Sequence, residues 1–162
     1  MTQRRRSVIV VVACCLLFVK GVSAQTLQVI DLEGHSTAIT AVHIANSPRV
    51  TVSVAERDKT VQFEGVPLAT LLAMAGVQLG DALRGPRMTE VLVVTAADGY
   101  KVAFALAEVD PAFAVREIIL ADKKDGKPLD GREGPFRVVA PGDKRPARWI
   151  RQVTELKLTS VK

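Results

Sequence analysis

Two prolines hold one short apolar run in place near the end of this chain. In GPFRVVAPGDKRPARW, Gly134 to Trp149, Pro135 and Pro141 fix φ on either side of Phe136 to Ala140, and Gly142 lets the chain turn without steric cost. The run is therefore confined to a short strand between two rigid turns. Charge gathers around it. From Arg132 to Arg151 there are five Arg and one Lys, opposed only by Glu133 and Asp143. A guanidinium presents a planar fork to phosphate or carboxylate and can also lie flat on a ring. An anionic, aromatic ligand would satisfy such a set.

The other end of the chain reads as an export signal. Arg4, Arg5 and Arg6 precede the apolar run Val8 to Val19, and Val22-Ser23-Ala24 offers small residues for cleavage before Gln25. The apolar run is short for a membrane span, and Lys20 and Gly21 interrupt it. Residues 1–24 are expected to be a signal peptide and 25–162 one mature domain, periplasmic or secreted. A rival cleavage before Cys14 would leave a lipidated cysteine, but the apolar segment continues past it. Both cysteines, Cys14 and Cys15, fall inside the signal, so the expected mature domain has no disulfide, no thiolate nucleophile and no sulfur metal ligand. The chain carries 22 basic and 17 acidic residues, and four of the basic ones lie in the signal, which leaves 18 against 17. So even a balance does not suit a nucleic-acid partner.

The layout reads as mixed α+β. Leu27 to Asp31 alternates as a strand, and Ser36 to Asn46 reads as a weak helix capped by Ser36. Arg49 to Val54 and Thr60 to Glu64 read as strands around an ERDK turn. Pro67 opens the clearest helix, with Leu68, Leu71, Leu72 and Ala75 on one face and Gly76 as its stop. Glu90 to Thr95 and Tyr100 to Leu106 form a hairpin around Asp98-Gly99. Ile118 to Ala121 and Phe136 to Ala140 read as short buried strands, and Trp149 to Leu158 as a last strand with a bulge. His35 and His43 lack a carboxylate pair at metal spacing, so no metal site is expected. Lys123 and Lys124, between Asp122 and Asp125, read as a solvated charged turn, as do Glu56, Arg57 and Asp58.

Four ordered blocks carry a family resemblance: FEGVPLATLLAMAGV from Phe63, DGYKVAFALAEVD from Asp98, ILADKKDGKPL from Ile119, and the G-x-P-x-R-x-V-x-P-G type turn ending in a basic residue and Trp149. Together they resemble the molybdopterin-binding domain of the sulfite oxidase family. The resemblance implies that fold, with a mixed sheet and short helices, and a pterin or molybdopterin cofactor. It nominates Arg137, Arg148, Trp149, Glu133, Gly134 and Pro135 as cofactor-binding residues. Arg148 stands where the family has a basic residue, more usually Lys, before Trp. Glu133 stands where the family often has Asn; a carboxylate there would accept from pterin N–H groups and repel phosphate, which favours a phosphate-free pterin. Three of these residues could also be purely structural. Arg137 could pair with a carboxylate, Arg148 could be solvated beside Trp149, and Trp149 could simply be core. The DGY turn at Asp98 and Tyr100 reads as structural.

In catalytic members of the resembled family a cysteine thiolate binds molybdenum. In the matching strand this chain has Ser53 and Ala55, neither a soft ligand. No catalytic residue is therefore expected. The function expected is an exported, non-catalytic pterin-binding protein, similar to small periplasmic pterin-binding regulators, with the periplasmic domain of a membrane signalling or redox protein as its partner. The alternatives are a molybdenum-cofactor oxidoreductase or subunit of one, and an interaction protein whose basic face binds an acidic partner.

Overall fold

The computed structural model describes residues 26–56 and 58–161. The expected signal peptide, with Cys14 and Cys15, lies outside them. Within the described residues ten strands fall into two five-stranded sheets. The first runs in the order β2 (Ser36–Thr40), β1 (Thr26–Ile30), β10 (Val153–Ser160), β5 (Glu90–Ala96) and β6 (Lys101–Ala105). The second runs β3 (Val50–Glu56), β4 (Lys59–Pro67), β7 (Ile119–Lys124) and β8 (Lys127–Pro128), with β9 (Arg137–Val139) also paired to β7. Among the described residues only β1 and β10 pair in parallel. Three short helices, α1 (Ala41–Ala45), α2 (Leu68–Met74) and α3 (Leu106–Val109), complete the α+β arrangement.

Period-two alternation explains the strands. In β5 the pattern buries Leu92 and Val94 while their neighbours are half covered, and β10 buries Val153, Leu156 and Leu158. One apolar cluster draws on both sheets and on α2, with Phe63, Phe104, Leu71 and Leu72 fully buried. The hairpin between β5 and β6 turns at Gly99, with φ +84°, and the Asp98 carboxylate accepts from Tyr100 N–H at 2.9 Å. At Gly65 the register of β4 against β7 shifts, and a Cβ there would sit 2.1 Å from the Leu120 carbonyl oxygen. Only glycine permits that approach.

Three expectations need correction. The helix expected over Ser36 to Asn46 begins as strand β2, paired along its length with β1. Its β-branched Thr37, Ile39 and Thr40 suit a pleated surface better than a helix. Thr40, not Ser36, then caps the short α1, its hydroxyl accepting from His43 N–H; the Ser36 hydroxyl donates to Gln28. Lys123 and Lys124 are not in a solvated turn. They close β7, where Lys123 pairs with Glu64 and Lys124 with Glu56; Glu56 likewise is not in the solvated turn expected for it but closes β3, half-buried and paired.

The proline-framed run links the two sheets. β9 joins β7 with Arg137 opposite Ala121, the chain turns through a single 3-10 turn at Pro146–Arg148, and it returns so that Val138 N–H donates to Ile150 O and Val153 N–H donates to Phe136 O. From there it enters β10. The expected final strand thus starts at Val153, with its bulge before Glu155.

Candidate functional site

Arg137 is buried, at 5% exposure, in a three-residue strand whose other members are also buried. An unpaired guanidinium there would be costly. Its Nη1 donates to Glu133 at 2.8 Å and its Nη2 to Glu56 at 3.2 Å, while Lys124 also reaches Glu56. The guanidinium carbon lies 4.9 Å from the ring centre of Phe63 and 5.8 Å from that of Trp149, so two aromatic faces enclose the cation. Its Nε is buried without a hydrogen-bond partner. Burial works against ionisation of Glu56, but the hydrogen bond from Lys124 and the charges of Arg137 and Lys124 outweigh it and hold that carboxyl below the ordinary range. Glu133 therefore serves as an ion-pair partner of Arg137 in this structure.

Trp149 has the geometry of a core residue. It is 6% exposed, its indole N–H donates to Ala140 O at 3.0 Å, and its ring meets Phe63 edge-on at 6.4 Å between centroids. Its ring and its polar edge are thus both engaged inside the protein.

Arg148 sits differently. It is 34% exposed and lines an open cleft of about 520 Å³ with Glu108, Asp143, Phe113, Ile118 and Ala140. Asp143 takes two of its N–H groups, at 3.0 and 2.6 Å, and Glu108 takes two nitrogens at 3.2 to 3.3 Å. Beneath them the guanidinium stacks 4.5 Å from the Phe104 ring centre. The hydrogen bond to Asp143, with help from Glu108, outweighs partial burial and raises the Arg148 pKa further above its ordinary value. Glu108 is fixed in turn, since it also accepts from Ala105 N–H at 2.9 Å. Tyr100 ties the hairpin to the same turn by donating to Ala147 O at 3.3 Å. The result is a cleft wall with one cation clamped by two carboxylates, whose remaining lone pairs can accept from a ligand's N–H groups.

The nominated residues thus fall into three places. Arg137, Glu133 and Trp149 form one internal network, Arg148 lines the cleft, and Gly134 and Pro135 line a second cavity of about 590 Å³. That second cavity also has Asp122 and Asp130 in its wall, but Asp122 is paired with Arg49 and Asp130 accepts from the backbone N–H groups of Arg132 and Glu133. No cation lines it. Residue types alone did not point to Glu108, Asp143 or Arg116 in the cleft. One signal was available: the only two acids between Arg132 and Arg151 are Glu133 and Asp143, and each is the partner of one nominated arginine.

The metal question turns on Ser53. It is exposed on β3, an edge strand, and does not line the cleft, and residues 25–162 contain no cysteine. These residues do not fit a thiolate-ligated molybdenum, whereas the cleft's acceptors and apolar floor suit a flat heterocycle. The exposed turn Asp31, Glu33 and His35 brings three ligand atoms within 4.8 Å of one another, but Asp31 already engages His35 at 3.0 Å.

Among solved structures, the fold is similar to that of the sulfane dehydrogenase SoxCD from Paracoccus pantotrophus, with a TM-score of 0.65 and 21% identity. The match covers 84% of this chain and 39% of that one, so this chain spans about two fifths of the SoxCD chain. None of the curated proteins matches the sequence. The family model described as the oxidoreductase molybdopterin binding domain matches residues 23–162. With that match over the blocks that carried the resemblance, the chain belongs to the oxidoreductase molybdopterin binding domain family, the molybdopterin-binding domain of sulfite oxidase type.

Proposed function

We propose that this protein is an exported, non-catalytic member of the family that binds a pterin without protein-ligated molybdenum and presents it to a membrane-bound signalling partner. The observation that carries the reading is the pairing of a retained cleft with a missing thiolate. The family-matched segment has no cysteine, yet Arg148 still lines an open cleft beside two fixed carboxylates. Asp143 and Glu108 accept from the 2-amino and ring N–H groups of the heterocycle, and the apolar floor at Ile118 and Ala140 takes its face. Arg148 is a positioning residue here: it holds both acceptors at the cleft wall. Two carboxylates against one guanidinium also disfavour a phosphate placed beside them. Export rests on the charged, apolar and small-residue pattern of residues 1–24.

Titration of the purified domain with reduced and oxidised pterins, followed by calorimetry, tests the cleft. Saturable binding is expected, weakened in Asp143→Asn by about 1.5–3 kcal/mol, the range for hydrogen bonds to a charged group. Equal affinity in the variant and the parent would remove this cleft as the pterin site. The family membership favours a second reading, an oxidoreductase subunit carrying molybdenum cofactor without a protein thiolate. Stoichiometric molybdenum in the native protein would support it.

A further inference from the structure

Two arginines line the cleft, and one of them is spoken for, as is the nearby Arg137. Arg137 is locked between Glu133 and Glu56 inside the protein, and Arg148 is saturated by Asp143 and Glu108. Arg116 is the exception. It is exposed, lines the cleft, and donates from Nη1 to the carbonyl of Pro141 at 3.1 Å. Among the described residues no carboxylate lies within ion-pairing distance of it. The bond to Pro141 O restrains a side chain that would otherwise lose much rotamer freedom on binding, and it leaves the other guanidinium N–H groups open.

The charge in the cleft is therefore divided. The Arg148 cluster, one cation against two carboxylates, is net negative, and Arg116 supplies an uncompensated positive group from the segment between Asp110 and Ile118. A ligand that matches both must be dipolar, with N–H donors directed to Glu108 and Asp143 and an anion directed to Arg116. The exposed Phe113 and the buried Ile118, beside Arg116 in the same wall, offer apolar contact to the ring between those ends.

We propose that Arg116 is the specificity residue of the cleft and selects pterins that carry an anionic substituent, carboxylate or phosphate ester, over neutral ones. The proposal rests on the pterin reading above. Three probes separate the two: pterin-6-carboxylate, neopterin monophosphate and the neutral 6-hydroxymethylpterin, each titrated calorimetrically into the purified domain and into Arg116→Gln. At least one anionic probe is expected to bind about tenfold to a hundredfold more tightly than the neutral one, the range of a charge-assisted contact. That ratio should fall to about one in R116Q and should narrow in the parent as salt rises, because Arg116 is exposed. Whichever anionic probe binds more tightly identifies the group as carboxylate or phosphate ester. Equal affinity of all three probes, or a preference that survives R116Q or does not respond to salt, overturns the assignment of Arg116 while leaving pterin binding in place. Failure of all three probes to bind overturns the pterin reading and this proposal with it.

Discussion

Arg137→Ala is expected to destabilise the domain by about 3–5 kcal/mol, the cost of removing one partner from a buried ion pair. Among the described residues the variant leaves Glu133 and Glu56 with Lys124 as their only paired cation, and it opens a gap beside Phe63 and Trp149. Urea denaturation should show a lower midpoint at an unchanged slope, as expected when stability falls without a change in the surface exposed. The pairing also predicts what repairs the damage. Arg137→Met combined with Glu133→Gln removes one charge of each sign, leaves Glu56 paired with Lys124 and fills the space beside the two rings, so it should recover most of the loss. If Arg137→Ala left the midpoint unchanged but abolished pterin binding, Arg137 would belong to a ligand site and the internal network would be incidental.

Trp149→Ala should cost a similar amount, about 3–5 kcal/mol, as large core truncations do. The indole fills space against Phe63, covers one side of Arg137, and satisfies the Ala140 carbonyl. Because it is the single tryptophan, it reports on its own surroundings. Emission should be shifted to the blue in the folded protein, should resist quenching by iodide, and should move to the red on unfolding. A stacking platform for a ligand would behave differently: the emission would lie further to the red without ligand, and saturable quenching by pterin would accompany a fall in affinity in the variant.

The fold was legible where the pattern was strong and local. The helix after Pro67, the Asp98-Gly99 hairpin and the bulged last strand follow from periodicity and turn chemistry, and the four family blocks supplied the arrangement. Ser36 to Asn46 misled because a five-residue helix contributes too little periodicity to outweigh the β-branched residues before it, and because the partner of β2 is a strand. The site was half legible. A concentration of arginines announced charge recognition, but a guanidinium's role depends on what neutralises it. Glu56 approaches Arg137 from the far end of β3, and Glu108 approaches Arg148 from α3, through strand pairings that no local spacing displays. The same reason hid Arg116. It stands out only once the partners of Arg137 and Arg148 are known, because it is what remains unpaired at the cleft.

The central claim, a retained pterin cleft without molybdenum, is tested most directly by isolating the protein from its native cells and measuring molybdenum per chain together with the mass of the bound small molecule. The predicted result is a pterin near stoichiometry and molybdenum far below one atom per chain. One molybdenum per chain, released with a pyranopterin and giving a redox-active electron paramagnetic resonance signal, would contradict it.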